Sequence, residues 1–371
     1  MANRSHICIV ADEDCLGRFG PAVRHLCVGL IDEAIRTTVV GPESRELRGL
    51  EIGPIRLETH GRMTWWRRNR ALADLVARLG EDPPHVIHAM SGDVAWLAGH
   101  LAHALDLPLI VTLTGTDELN EHTEEVLRSA VSVIAVSEPI RTQAIQRLER
   151  SDEDVVCIRW GLVAEDEPTC FLDDGKDVTL VTMAPLVARA GLEDLIDAMA
   201  ELTRGSRPVM LFVLGSGPAE GQLRRRVGEL RLNPWVTFVG PVREWPSVLQ
   251  GADVFVLPCP QHRLTIHPLA AMAAGLAVVA CARGDHDCLV DGQTARTYEP
   301  SGVELLTAVL AEVLNDPAGA RAMAATSQRY VAQNHRVSAM VAQTVQIYRQ
   351  LTLHQETIPM PPANDGEPDG G

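Results

Sequence analysis

Short apolar runs alternate along the chain with longer segments whose apolar residues recur at helical spacing. In the first half, strands are predicted at His6–Val10, Val86–His88 and Leu109–Leu113. The pattern also predicts a loop over Asp12–Gly20, followed by a helix over Pro21–Glu33. Strands that alternate with helices indicate βαβ units, and wholly apolar strands are typical of a parallel sheet covered on both faces.

A polar linker at residues 169–177 is followed by a second series of the same alternation, which begins with a predicted strand at Val178–Met183. We therefore expect an N-terminal domain at 1–168 and a C-terminal domain at 178–334, with a helix at 337–353 that joins the first domain. The tail at 356–371 is rich in Pro, Gly and Asp and is predicted to be disordered. Two doubly wound domains place a ligand site in the cleft that faces the carboxyl ends of their strands.

Composition narrows the classes of protein to be considered. The 371 residues carry a formal net charge of −16, which argues against nucleic acid as a partner. No apolar run reaches the length of a membrane span, and the first residues lack the apolar region of a signal peptide. The eight cysteines are scattered and form no CxxC pair, so free thiols are expected. These features predict a cytoplasmic protein without an integral membrane segment.

The second half resembles the family-4 retaining glycosyltransferases, which have the GT-B fold. The likeness rests on stretches that occur in the family's order and at nearly its spacing: Met183–Ala198, Leu211–Pro218, Val236–Gly240, Gly251–Pro258, Ala271–Val279 and Val290–Gly292. The resemblance implies two Rossmann-like domains that face each other across a cleft. It also implies a C-terminal helix that crosses back to the first domain.

The first half resembles the same family at four places. Gly17 and Gly20 lie where the family has a glycine-rich acceptor loop. Val86–Met90 resembles its third strand end, with His88 retained. Thr112–Asp117 resembles its "TxHGxD" turn, and Val133–Glu138 resembles the strand that ends the domain. The resemblance thus covers nearly the whole chain apart from the tail.

The polar residues that the resemblance would place at the donor site are replaced in this chain. The family's Arg and Lys on the first loop of the second domain fall on Pro185 and Ala190. Its two glutamates fall on His262 and Ala270, and the histidine of the "TxHGxD" turn falls on Thr114. A diphosphate leaving group gains charge and needs fixed positive groups or N–H donors, so these replacements predict a non-standard site.

The residues that remain give the following candidates. Catalytic candidates are His262, Asp117 and Thr114, and acceptor-side candidates are Gly17, Gly20 and His88. Donor-binding candidates are Gly215, Gly217, Pro218, Val239, Gly240, Arg189, Arg263, Leu264, Thr265 and His267. The acidic groups Asp12–Asp14 and Asp285–Asp287 admit a divalent metal but fit loop residues better, so no metal and no cofactor are expected.

Two functions follow from the resemblance. The first is transfer of a sugar from a nucleotide-diphosphate sugar, as substrate, to a glycan, lipid or small-molecule acceptor. The alternative is a catalytically inactive homologue that acts as a binding or regulatory partner of another glycosyltransferase. The retained glycines support the scaffold in both cases, whereas the replaced ionic residues leave the choice between the two open.

Overall fold

The computed structural model describes residues 5–61, 63, 68–172, 177–204, 209–240, 242, 245–258, 264–281, 285–300 and 302–356. Within these ranges the strands form two sheets, both entirely parallel, with seven strands in the first and six in the second. The predicted class, two doubly wound parallel sheets, is therefore confirmed.

The N-terminal domain is built on the seven-stranded sheet, whose order is β3-β2-β1-β4-β5-β6-β7. Its strands are β1 His6–Val10, β2 Arg36–Pro42, β3 Arg56–His60, β4 Val86–Ala89, β5 Leu109–Leu113, β6 Ser132–Ala135 and β7 Val155–Cys157. Its helices are α1 Glu13–Asp32, α2 Arg45–Arg48, α3 Arg68–Gly80, α4 Ala95–Leu105, α5 Glu121–Ser129 and α6 Glu138–Leu148. Every residue of β1, β4 and β5 is buried, as expected for strands covered on both faces.

The C-terminal domain is built on the six-stranded sheet, whose order is β10-β9-β8-β11-β12-β13. Its strands are β8 Val178–Met183, β9 Val209–Leu214, β10 Val236–Gly240, β11 Val254–Leu257, β12 Ala277–Cys281 and β13 Arg296–Tyr298. The helices that follow β8 are α7 Leu192–Leu202, α8 Glu220–Glu229, α9 Trp245–Leu249, α10 His267–Ala273, α11 Val303–Asn315, α12 Pro317–Asn334 and α13 Val337–Glu356.

The predicted loop over Asp12–Gly20 is wrong, because α1 already begins at Glu13 and runs through Pro21. The Asp12 side chain accepts a 2.7 Å hydrogen bond from the Cys15 backbone N–H and caps the helix. Gly and Pro each disfavour a helix locally, by ~1 and ~3 kcal/mol. The buried apolar face of α1 outweighs them, with Phe19 at 1% exposure among its members.

The chain passes between the domains twice, and the two passages run side by side. The Leu162 N–H donates to the His335 carbonyl at 2.9 Å, and the His335 Nδ1 lies 3.0 Å from the Trp160 carbonyl. A Cβ at Gly161 would lie 2.5 Å from the Cα of Val337, so only glycine permits this approach. The passage after Asn334 returns α13 to the first domain.

Helix α13 packs on α1 and covers β4. The Tyr348 hydroxyl is buried and lies 2.6 Å from the His88 Nδ1, while the His88 Nε2 lies 2.8 Å from the Thr112 hydroxyl. Burial lowers the pKa of His88 to about 3, so the ring is neutral. The predicted return of the C-terminal helix to the first domain is therefore confirmed.

The sequence also predicts free cysteine thiols and no membrane-spanning segment. Over the described ranges no helix is both long enough and apolar enough to cross a lipid bilayer. The seven cysteines that lie in those ranges are all free thiols, and six of them are buried. Cys259 and the tail beyond Glu356 lie outside the described residues.

We predict that Tyr348→Phe lowers the free energy of unfolding by about 1–3 kcal/mol, because the buried His88 Nδ1 loses its partner. Chemical denaturation checks this. Tyr330→Phe is the matched control, since the Tyr330 hydroxyl has no hydrogen bond to a described residue. Equal loss in the two variants would contradict a specific role for the buried pair.

Candidate functional site

A cavity of about 840 Å³ lies where the loops after the strands of the two domains face each other. The N-terminal domain lines it with Glu13, Asp14, Gly17, Arg18, Glu46 and Asp117. The described part of the C-terminal domain lines it with Met183, Ala184, Pro185, Ala190, Leu214, Gly215, Ser216, Val242, Trp245, Leu257, Thr265, His267 and His286. The cavity thus opens at the carboxyl ends of both sheets, where doubly wound folds bind ligands.

Two backbone loops form the floor of the C-terminal wall. The Leu186 N–H donates to the Ser216 carbonyl at 2.9 Å, and the Ala219 N–H donates to the Leu186 carbonyl at 2.8 Å. Gly215 and Gly217 have φ values of +146° and +158°. A Cβ at Gly215 would lie 2.0 Å from the Ala184 carbonyl oxygen, and one at Gly217 would lie 2.3 Å from that of Leu186. Glycine is therefore required at both positions by the close packing of the loops.

The two walls differ in charge. The N-terminal lining carries four carboxylates and the Arg18 guanidinium, whereas the described C-terminal lining carries no Asp, Glu, Lys or Arg. His267 and His286 are half-buried there, and desolvation lowers the pKa of each to about 4. Both rings are therefore uncharged at neutral pH, and they offer hydrogen bonds rather than positive charge.

Arg18 organises the N-terminal wall. Its Nε donates to the Asp14 carboxylate at 2.9 Å, one helical turn away on α1. Its Nη1 lies 3.3 Å from the Thr114 hydroxyl, and its Nη2 lies 4.0 Å from the Glu118 carboxylate. Arg18 is only 9% exposed, so its charge is held by these neighbours rather than by solvent.

Glu118 is a buried acid directly behind Arg18. One of its carboxylate oxygens accepts hydrogen bonds of 2.9 Å from the Gly92 and Thr114 N–H groups, and the other accepts from the Thr114 hydroxyl. Gly92 packs against the side chain so closely that a Cβ there would lie 2.7 Å from the Glu118 Cβ. Burial raises the pKa of Glu118 to about 7, although these hydrogen bonds and Arg18 act to lower it.

Two segments of the C-terminal domain bond directly to the N-terminal wall. The Leu264 carbonyl accepts from the Arg18 Nη1 at 3.1 Å, and the Ile266 N–H donates to the Arg18 carbonyl at 3.2 Å. Asp285 accepts from the Thr116 N–H at 2.8 Å and from the Thr116 hydroxyl at 3.2 Å.

The acidic groups that admitted a metal from sequence have other contacts here. Asp287 accepts from the Arg159 Nη2 at 2.7 Å and from the Glu138 N–H at 3.3 Å. Asp285 bonds to Thr116, and Asp12 caps α1. In the part of the chain that the structure describes, no three His, Cys, Asp or Glu side chains are grouped so that they could hold a metal ion.

Comparison with known proteins identifies the family to which this architecture belongs. The family model for glycosyltransferase family 4 matches residues 21–165, and the model for glycosyl transferases group 1 matches residues 177–316. Together the two models cover strands β2 to β7 of the first sheet and all six strands of the second. The chain belongs to the family-4-like glycosyltransferases.

Individual relatives agree with the family models. The chain is 31% identical over 170 residues to a GDP-mannose-dependent alpha-(1-6)-phosphatidylinositol monomannoside mannosyltransferase of Mycolicibacterium smegmatis, a match that spans 43% of this chain and only 44% of that relative. It is 25% identical over 329 residues to the alpha-D-kanosaminyltransferase of Streptomyces kanamyceticus, which spans 79% of this chain and 83% of the relative.

A solved structure shows the same fold. Anabaena HepE in complex with UDP-glucose superposes with a TM-score of 0.75 at 19% identity, over 93% of this chain and 99% of that one. The GT-B fold that the sequence predicts for this chain is therefore confirmed.

Three of the positions to which the resemblance assigns the family's ionic residues are apolar here: Pro185, Ala190 and Ala270. Pro185 and Ala190 line the cavity, the first exposed and the second buried. Ala270 is buried on α10, and its N–H and carbonyl are both used by the helix. None of the three side chains can carry charge or accept a hydrogen bond.

The other predicted site residues fall in different places. Gly17, Asp117, Gly215, Thr265 and His267 line the cavity. Two further candidates contact residues beside the cavity: Gly217 packs on the Leu186 backbone, and the Leu264 carbonyl accepts a hydrogen bond from Arg18. Their assigned roles stay predictions.

The remaining candidates that the structure describes are not among the residues that line the cavity. Arg189 is exposed and has a left-handed φ of +67°. Pro218 and Val239 are exposed, and the Gly240 carbonyl accepts from the Gly215 N–H at 3.2 Å. Thr114 is fully buried behind Arg18. His262 and Arg263 lie outside the described residues.

Two acceptor-side expectations need correction. Gly17 and Gly20 belong to α1 rather than to a loop, and a Cβ at either position would meet no other group within 4 Å, so both face open space. His88 does not line the cavity, because both of its ring nitrogens bond to buried groups beneath α13. Its strand-end position suggested the site, but the contact that fixes its role comes from Tyr348, 260 residues later.

Sequence reasoning did not single out Arg18, Glu118, Trp245 or His286 as ligand-site residues. Arg18 and Glu118 each stand next to a residue that the family motifs mark, Gly17 and Asp117 respectively. Trp245 contacts His267 edge-on at 5.2 Å between ring centroids, on the far side of the cavity. No local pattern indicates that Arg18 and Glu118 lie near each other, because they belong to segments distant in sequence.

We predict that Glu118→Gln changes how stability depends on pH. The folded-state pKa of about 7 lies above the unfolded value of 4.5, so the contribution of Glu118 is full below pH 4.5 and is lost as pH rises through 7. Relative to the variant, the wild type should lose stability on the order of 3 kcal/mol between pH 5 and 8.

Chemical denaturation of both proteins across that pH range measures the effect. Glu125→Gln, a substitution of an exposed glutamate on α5, is the control and should leave the pH profile unchanged. Parallel profiles for wild type and Glu118→Gln would contradict the raised pKa.

Proposed function

We propose that this protein binds a nucleotide-diphosphate sugar in the interdomain cavity and transfers the sugar to a glycan, lipid or small-molecule acceptor. The observation that carries the proposal is a set of polar atoms in residues that line the cavity. The Arg18 Nη2, Thr265 Oγ1, His267 Nδ1 and His286 Nε2 are buried, and none has a hydrogen-bond partner among the described residues. Buried polar groups without partners call for a ligand, water or ion.

The size of the cavity supports the proposal. A volume of about 840 Å³ falls within the ~300–1,000 Å³ typical of small-molecule sites. Thr265 and His267 stand in the wall of the cavity and do not fill it. The open cavity supports binding of a small molecule at this position.

Relatives of this protein support the same substrate class. The mannosyltransferase of M. smegmatis is named as GDP-mannose-dependent, and HepE was solved in complex with UDP-glucose. We extend to this chain only the shared class, a nucleoside diphosphate joined to a sugar.

The donor site would be non-standard. A diphosphate leaving group would meet neutral histidines and backbone groups along the described C-terminal wall. The Ser216 N–H donates to no described residue, and it lies in a loop that lines the cavity. Arg18 supplies positive charge from the opposite wall. Because N–H donors and one guanidinium replace an Arg/Lys pair, we expect transfer to be slow relative to a site with two cations.

The alternative is a catalytically inactive homologue that keeps the cavity for binding and acts as a partner of another glycosyltransferase. The described C-terminal lining carries no Asp, Glu, Lys or Arg, and this favours the alternative. The resemblance assigns the family's two cations and one of its carboxylates to Pro185, Ala190 and Ala270. Under this alternative the nucleotide sugar would bind without turnover.

Calorimetry with UDP-, GDP-, ADP- and TDP-sugars tests binding, and release of the nucleoside diphosphate tests turnover. We expect one donor to bind, and Thr265→Val to weaken it about three- to tenfold, because the hydroxyl is replaced by a methyl group of similar size. Arg225→Ala is the control, since Arg225 is exposed on α8.

The outcomes separate the two functions. Binding with release of nucleoside diphosphate in the presence of an acceptor supports the transferase. Binding without release for any acceptor supports the inactive homologue. Absence of heat for every nucleotide sugar and free nucleotide would contradict both.

A further inference from the structure

Two tripeptides of the C-terminal domain reach across to the N-terminal domain in the same way. Each is held at its first and third residues, and each presents its middle residue to the cavity. The tripeptides are Leu264–Ile266, which precedes α10, and Asp285–Asp287, which follows β12.

The first tripeptide is held by one residue of the N-terminal domain. Arg18 donates from its Nη1 to the Leu264 carbonyl at 3.1 Å, and its own carbonyl accepts from the Ile266 N–H at 3.2 Å. Leu264 and Ile266 are 9% and 1% exposed. Between these two anchors, Thr265 lines the cavity.

The second tripeptide is held by two carboxylates. Asp285 accepts twice from Thr116, through the N–H at 2.8 Å and through the hydroxyl at 3.2 Å. Asp287 accepts from the Arg159 guanidinium at 2.7 Å and from the Glu138 N–H at 3.3 Å. Between these anchors, His286 lines the cavity.

These contacts depend on the distance between the domains. Asp285 is 7% exposed, and a carboxylate that leaves water is stable only while its oxygens are satisfied. Thr116, Glu138 and Arg159, which bond to the two carboxylates, all belong to the N-terminal domain. Separation of the domains would break these bonds together, so they stabilise the arrangement that encloses the cavity.

We infer that Asp285 and Asp287 are positioning residues, which hold the domains at the separation seen here and set His286 in the wall of the ligand cavity. This inference rests on the proposed function where it concerns ligand affinity. It stands independently where it concerns the closed arrangement, because that arrangement can be measured without ligand.

Three backbone amides report on the closed arrangement. Thr116 donates to Asp285, Glu138 donates to Asp287, and Ile266 donates to the Arg18 carbonyl. Each of these N–H groups is protected by a bond that crosses between the domains. Hydrogen exchange of the three amides in the full-length protein, without ligand, therefore measures how often the domains separate.

The informative variants remove one anchor at a time. Asp285→Ala removes both acceptors of Thr116. Asp285→Asn keeps a carbonyl oxygen for the Thr116 N–H and an amide that can donate to its hydroxyl. Arg159→Met breaks the other anchor without touching Asp285. Asp316→Ala, which removes the N-cap of α12 within one domain, controls for loss of stability alone.

In Asp285→Ala we expect faster exchange at all three amides, including Ile266, whose own acceptor is intact. Nucleotide-sugar affinity should fall about tenfold or more, because apparent affinity scales with the fraction of molecules in the binding-competent arrangement. Arg159→Met should act in the same direction. Asp285→Asn should restore both properties nearly to wild type, and Asp316→Ala should change neither.

The results distinguish the inference from the proposed function. If wild type binds no nucleotide sugar, the proposed function fails, and the exchange of Ile266 and Glu138 in Asp285→Ala still decides the inference. If exchange rises only at Thr116 and affinity is unchanged, the anchors are local contacts and the inference is overturned. Slow exchange of the amides of β5 in every variant verifies that the fold is retained.

Discussion

The contacts of the Arg18 guanidinium connect the two walls of the cavity and fix where they meet. The guanidinium donates to the Asp14 carboxylate and to the Thr114 hydroxyl, and it lies 4.0 Å from the buried Glu118 carboxylate. It also donates to the Leu264 carbonyl of the other domain. A buried charge of this kind is stable only with several partners. The first turn of α1, the turn after β5 and the segment before α10 therefore all contact the same side chain.

Close packing of the backbone sets a second constraint beside the cavity. Gly215 and Gly217 are required because the Ala184 and Leu186 carbonyls leave no room for a Cβ. That requirement comes from the packing of two loops and holds whether or not a ligand is bound. Pro185 and Ala190 meet no such constraint, since their side chains face the cavity or the core beside it. The backbone geometry at this site is therefore determined by the packing of two loops, whereas the charge of the lining depends on side chains that this packing does not restrict.

The same distinction determines how much could be predicted from sequence. Strand β8, Val178–Met183, matches its predicted bounds because a buried parallel strand is a continuous apolar run. The predicted start of α1 was wrong because burial of the apolar face of the helix, which forms only in the folded protein, outweighs the local glycine and proline signals. At the site, a family motif marked Gly215 but not Glu118 or Asp285. The pKa of Glu118 is raised by burial, and Thr116, 169 residues away, holds Asp285. Long-range pairing of this kind leaves no periodic trace in the chain.

The charge distribution of the cavity sets the chemistry that any ligand must satisfy. Four carboxylates and one guanidinium line the N-terminal wall, while the described C-terminal wall offers neutral rings, two hydroxyls and backbone groups. Under the proposed function, a diphosphate would be disfavoured beside Glu13 and Asp117 and would be met by the Arg18 guanidinium and the Ser216 N–H. Sugar hydroxyls can bond to those carboxylates without charge repulsion. Under that function, the charge distribution would direct the sugar hydroxyls of the substrate toward the carboxylates of the N-terminal wall and the diphosphate toward Arg18 and Ser216.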